Sequence, residues 1–127
     1  MTEQKEMHTE LSVAYVDFGG NTGKGKYIYR FEPDLMLLEP LARNVTIKYA
    51  FDKAVPFNFR IRNLISSDSQ NQISQIKYDG DGRWVSFVNA NDRATLIFFT
   101  VIVEDMQRET RFSCDPQVGN DPQISPQ

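Results

Sequence analysis

The chain has 127 residues, with 14 basic against 17 acidic side chains, a net charge of −3 and a pI near 5.1. That balance supplies no basic footprint for nucleic acid or an anionic membrane surface, and no apolar run reaches the length of a membrane span. The single cysteine, Cys114, excludes an internal disulfide and suits a reducing compartment; residues 1–6 carry no apolar signal core, so a cytoplasmic location is expected.

Residues 1–9 are polar and read as a flexible leader. Residues 11–18 turn apolar and β-prone, a first strand. The following Gly19-Gly20-Asn21-Thr22-Gly23-Lys24-Gly25 departs twice from a phosphate-binding loop. Phe18 stands where the first loop glycine belongs, and Gly25 replaces the hydroxyl residue that would hold magnesium. A glycine-rich hairpin turn is expected instead. Residues 26–32 alternate, with Tyr27, Tyr29 and Phe31 on one face and Ile28, Arg30 and Glu32 on the other. Pro33 ends that strand. Residues 34–40 form an apolar run bracketed by prolines, a short edge strand or one helical turn.

The next strand, residues 44–51, points Val45, Ile47, Tyr49 and Phe51 inward. Pro56 opens another, with Phe57, Phe59 and Ile61 inward and Asn58, Arg60 and Arg62 outward. Residues 66–72 are a polar loop. Residues 73–78 and 83–88 read as a hairpin around Asp79-Gly80-Asp81-Gly82; no acidic residue follows where a calcium loop needs its twelfth-position ligand. Residues 93–105 are apolar on both faces, the pattern of a central strand buried on both sides. Residues 109–114 alternate as a last strand, and residues 117–127 form a polar tail. Seven or eight short strands with turn residues between them predict one all-β domain, an immunoglobulin-like antiparallel β-sandwich. Its expected parts are the leader 1–9, the sandwich 10–115 and a C-terminal peptide 116–127.

The composition narrows the chemistry. The one histidine, His8, falls in the leader, so histidine-based nucleophilic or zinc sites lack their usual residue in the folded part. Cys114 has no histidine beside it and reads as a small residue of the last strand. Catalysis would rest on carboxylates, tyrosines, lysines and arginines, with no metal or cofactor. The most chemically unusual peptide bond in the folded part is Asp115-Pro116. Proline has no N–H, which closes the competing succinimide route, and its tertiary nitrogen leaves readily once protonated. An adjacent carboxylate then has the advantage of an intramolecular nucleophile. As a plain turn signal the same dipeptide marks a strand end. Asp121-Pro122 repeats it in the tail. Glu32 and Asp34 flank Pro33, and closely held carboxylates can supply one proton donor beside one ionised partner.

These features together, Phe31-Glu32-Pro33-Asp34, Leu38-Glu39-Pro40 and Cys114-Asp115-Pro116 after the last strand, resemble the DP-EP family of small bacterial β-sandwich proteins. The resemblance implies a sandwich that cuts its own chain between Asp115 and Pro116, keeps the released peptide in its sheet and can self-assemble as a homo-oligomer. It makes Glu32 or Glu39 the Glu-Pro acid, with Glu32, beside Asp34, the first choice. It also implies linkage of the new terminal aspartate to a lysine. The chain has no lysine after Lys77, so linking within one molecule would draw on Lys26, Lys48, Lys53 or Lys77. The competing expectation is a non-enzymatic interaction module that presents loops or an edge strand, with Arg60 and Arg62 among its contacts.

Overall fold

Alternating apolar side chains build most regular elements of the computed structural model, which describes residues 6–120. Ten strands follow in order: β1 Glu6–Tyr15, β2 Tyr27–Glu32, β3 Leu35–Leu37, β4 Val45–Phe51, β5 Phe59–Ser66, β6 Ile73–Tyr78, β7 Trp84–Asn89, β8 Thr95–Asp105, β9 Thr110–Cys114 and β10 Gln117–Asn120. One sheet has the order β2-β1-β4-β7-β6 and the other β3-β10-β8-β5, with β9 also paired to β8. The sandwich is as expected, but it has ten strands rather than seven or eight. It is also not wholly antiparallel: β1 runs parallel to β4, and β10 parallel to β3.

The differences have local causes. β1 starts at Glu6, inside the expected leader, because Met7 and Thr9 continue the inward row of Leu11 and Val13, and Thr9 is buried. Polar flanking residues hid that row. The strand also stops at Tyr15, leaving Phe18 exposed in the turn. β10 falls in the expected polar tail because Gln-Val-Gly-Asn offers one large apolar side chain. It is a strand because both its edges find partners. Of the two readings for residues 34–40, the edge strand is the one formed, as β3.

Between the sheets lie Leu11, Val13, Tyr27, Phe31, Ile47, Tyr49, Phe87, Phe99, Val101 and Phe112, all buried. β4 buries Val45, Ile47, Tyr49 and Phe51, as its alternation requires. Phe57 does not point in. It is 77% exposed and lies 4.8 Å from the Arg83 guanidinium, which caps the loop by donating to the carbonyls of Val55, Pro56 and Phe59. β8 is not covered on both faces either. Ile97, Phe99, Val101 and Val103 are buried, while Leu96 and Phe98 are about half exposed. The glycine-rich segment is the turn between β1 and β2, closed by Gly20 N–H donating to Gly25 O at 2.9 Å. Residues 79–82 likewise turn β6 into β7, with Gly82 at φ 70°.

A buried carboxylate fastens the end of β8 to the opposite sheet. Asp105 accepts from Tyr27 Oη at 2.7 Å, Asn58 Nδ2 at 2.7 Å, Arg108 Nη1 at 3.0 Å, and the main-chain N–H groups of Gln107 and Arg108. Tyr27 stacks on Phe112 of β9, ring centroids 4.1 Å apart. Burial alone would raise the Asp105 pKa. The donors from Tyr27, Arg108 and Asn58 outweigh it, so the value falls below the usual carboxylate range. Burial and the Asp105 charge push Tyr27 up to about 12. A depressed folded-state pKa adds stability above the unfolded value near ~4, lost as pH falls through that range. Asp105→Ala should cost about 3 kcal/mol at neutral pH, from the stranded Arg108, Tyr27 and Asn58 donors. Urea unfolding followed against pH should show that deficit shrinking below about pH 4 as the parent's own Asp105 is protonated.

Candidate functional site

Asp115 and Pro116 occupy the joint between β9 and β10, and the joint is part of a continuous ladder. β9 pairs Cys114 with Val101, and β10 pairs Gln117 with Phe98. Two residues therefore lie between these pairs on each strand, Asp115-Pro116 against Thr100 and Phe99, with no slip of register. Phe99 N–H donates to Pro116 O at 3.0 Å. The return bond cannot form, since proline has no donor. The segment is thus an extended strand missing one rung, fixed on both sides. Pro116 faces the core and is buried, while Asp115 points to the outer face and is exposed.

The far edge of this strand meets the β2–β3 corner. Thr22 Oγ1 donates to Ser113 O at 2.5 Å, and Gln117 N–H donates to Asp34 O at 3.2 Å. Asp34 thus lies against the residue just past Pro116. A cavity of about 310 Å³ opens here, lined by Asn21, Tyr29, Arg30, Phe31 and Asp34. The Asn21 side chain bonds both main-chain groups of Tyr29, its Nδ2 to Tyr29 O and its Oδ1 from Tyr29 N–H, each at 2.9 Å. That fixes β2 where it borders the joint.

The electrostatics place the groups relative to one another. The Tyr29 phenol is raised first by burial and also by the charges of Asp115, Cys114 and Asp34, while the Asp115 main-chain N–H works in the opposite direction. Tyr49, whose hydroxyl is buried without a hydrogen-bond partner among the described residues, is raised by burial and by the Asp34 charge. Asp34 and Asp115 therefore both act on the Tyr29 phenol. Burial, and then the Asp115 charge, also push the Cys114 thiol up.

Of the residues singled out in the sequence, Asp115, Pro116 and Asp34 come together, Asp34 through its main-chain carbonyl to Gln117. Glu32 does not join them: its carboxylate is exposed and accepts from Arg30 Nη2 at 2.7 Å. Glu39 is exposed beyond β3. Among the lysines, Lys48 Nζ stands 4.5 Å from the Trp84 ring on another face, Lys77 lies on β6 opposite Ser86, and none of Lys26, Lys48, Lys53 and Lys77 lines the cavity. His8, on β1, bonds Glu6 Oε1 at 2.8 Å. Tyr29 and Asn21 were not legible as site residues. Alternation marked Tyr29 only as one of three aromatics of a core face, and Asn21 only as part of a turn.

No helix among the described residues is long and apolar enough to cross a membrane. No family model matches the chain, and no curated protein matches it.

A buried thiol with a raised pKa should be unreactive. Native protein should resist iodoacetamide at mildly alkaline pH and take one label per chain in concentrated guanidinium, read by mass. Rapid labelling of the native state would instead show that the Cys114–Asp115 end of β9 opens readily.

Proposed function

We propose that the chain is a self-cleaving β-sandwich that cuts its own Asp115–Pro116 bond by carboxylate chemistry and retains the C-terminal peptide in its sheet. One observation carries the reading: the bond is held extended between two fixed ladder segments, with the Asp115 carboxylate free of the core and Asp34 against Gln117. An Asp115 carboxylate oxygen attacks the Asp115 carbonyl carbon and closes a five-membered anhydride. The C–N bond breaks, and the proline nitrogen takes a proton relayed by Asp34. Water then opens the anhydride and returns the proton, so the products sum to the chain plus one water. The membership in the DP-EP family that the motifs suggested is part of this same proposal, as is a cytoplasmic, reducing location for the single thiol.

The fold accounts for retention. β10 keeps its ladders to β8 and β3 whether or not residue 115 is joined to residue 116. Val118 is fully buried, which contributes about 2 kcal/mol. Asn120 exchanges two side-chain hydrogen bonds with buried Asn89, at 2.7 and 2.8 Å, and donates to Gln72 at 3.2 Å. At Gly119 the Leu37 side chain of β3 lies over the β10 backbone, 2.7 Å from where a Cβ would stand.

A second reading, a binding module that pairs with a second copy of itself, is favoured by the outer face of the β3-β10-β8-β5 sheet. Leu35, Leu37, Leu96, Phe98 and Ile65 are exposed there on three of its strands. It predicts that Phe98→Ser lowers the mass measured by light scattering and leaves chain length unchanged.

Cleavage separates the two. On denaturing gels, aged parent protein should lose its 12-residue C-terminal peptide (residues 116–127), while Asp115→Ala and Pro116→Ala remain whole. Asp34→Asn should slow cutting by about 100-fold, the usual scale for one acid–base group. Glu32→Gln, outward and paired with Arg30, should cut at the parental rate. Cutting that survives in Asp115→Ala would refute the carboxylate mechanism.

A further inference from the structure

Strand geometry fixes which way the scissile carbonyl points. Main-chain groups of successive strand residues face opposite edges, while the N–H and C=O of one residue share an edge. Ser113 O meets Thr22 and Gln117 N–H meets Asp34, both on the edge away from β8, whereas Pro116 O meets Phe99 on the β8 edge. Asp115 therefore presents its N–H and its carbonyl oxygen to the edge that faces β2. Between the Thr22–Ser113 and Asp34–Gln117 contacts on that edge, Tyr29 is the phenol on which the Asp115 main chain and charge act. It lines the cavity beside Asp34, and Asn21 bonds both of its main-chain groups.

A hydroxyl placed against an extended residue can accept from that residue's N–H and turn its own proton to the C=O beside it. We propose that the Tyr29 hydroxyl is the oxyanion donor of the cleavage, giving its hydrogen bond to the Asp115 carbonyl oxygen as charge builds there. The inference rests on the self-cleavage reading. In the first step the bond from the Asp115 carboxylate oxygen to the carbonyl carbon forms, and the carbonyl π pair moves onto its oxygen. In the second that pair returns, the C–N bond breaks and the nitrogen takes its proton through Asp34. Tyr29 keeps its proton in both steps. Its burial favours the protonated phenol, the state a donor requires, and a group fixed before the reaction costs little reorganisation when the charge appears.

The alternative is that Tyr29 only fills the strand edge, as Thr22 does two residues earlier. Cleavage rates of parent, Tyr29→Phe and Thr22→Val, followed by denaturing mass spectrometry well below each melting temperature, tell these apart. Tyr29→Phe keeps the ring and its contact with Phe31 and should slow cleavage by about 100-fold or more, the cost of one oxyanion donor. Thr22→Val, which removes the neighbouring edge bond, should lower the melting temperature slightly and cleave at the parental rate. Parental cleavage in Tyr29→Phe, or equal slowing in both variants, overturns the inference and leaves self-cleavage standing. A parent that never cleaves overturns both.

Discussion

The pairing of the last strand along β8 is the constraint on which the rest depends. It runs from Thr110 to Asn120 without a change of register, although Pro116 removes one donor from its middle. A proline in an interior ladder costs a hydrogen bond, and proteins usually confine it to edges or bulges. Here flanking pairs on both sides hold the strand in place, and Phe99 still donates to Pro116 O. An aspartate followed by proline is thereby locked in extended geometry, with its carboxylate outside and its carbonyl turned toward the β2–β3 corner.

That corner exists because two distant parts of the chain are tied together. The Asp105 network and the Tyr27–Phe112 stack fix β9 against β2, while β3 adds parallel to β10. The two attachments bracket the Asp115–Pro116 joint. Residues 21–34 then supply partners along this strand edge, the Thr22 hydroxyl for Ser113 and the Asp34 main-chain carbonyl for Gln117, with the Tyr29 phenol the proposed donor to Asp115. A strand edge met partly by loop and side-chain groups instead of a full partner strand leaves room for a cavity, where chemistry becomes possible.

Much of the architecture was written locally. Val45-Ile47-Tyr49-Phe51 and Tyr27-Tyr29-Phe31 face the core because alternation at period two permits nothing else once one face is buried. The failures were tertiary. β10 has too few apolar side chains to announce itself and is made a strand by its neighbours. Leu96 and Phe98 gave β8 a two-sided apolar pattern, yet only one side is covered. Phe57 fits the period but sits before the strand begins, where Arg83 takes it. In the site, the reactivity of Asp115-Pro116 follows from covalent chemistry and so was legible. The proximity of Asp34 and Tyr29 was not, because it comes from pairing between segments about eighty residues apart. The choice of Glu32 ahead of Glu39 rested on Asp34 standing beside it across Pro33; the strand's alternation turns Glu32 out to Arg30.

Intact mass of the denatured parent, taken fresh and after days at neutral pH, tests the central claim most directly. The account predicts two species that sum to the chain plus one water and divide after Asp115, with a single particle of unchanged composition under native conditions. One undiminished full-length mass throughout would contradict it.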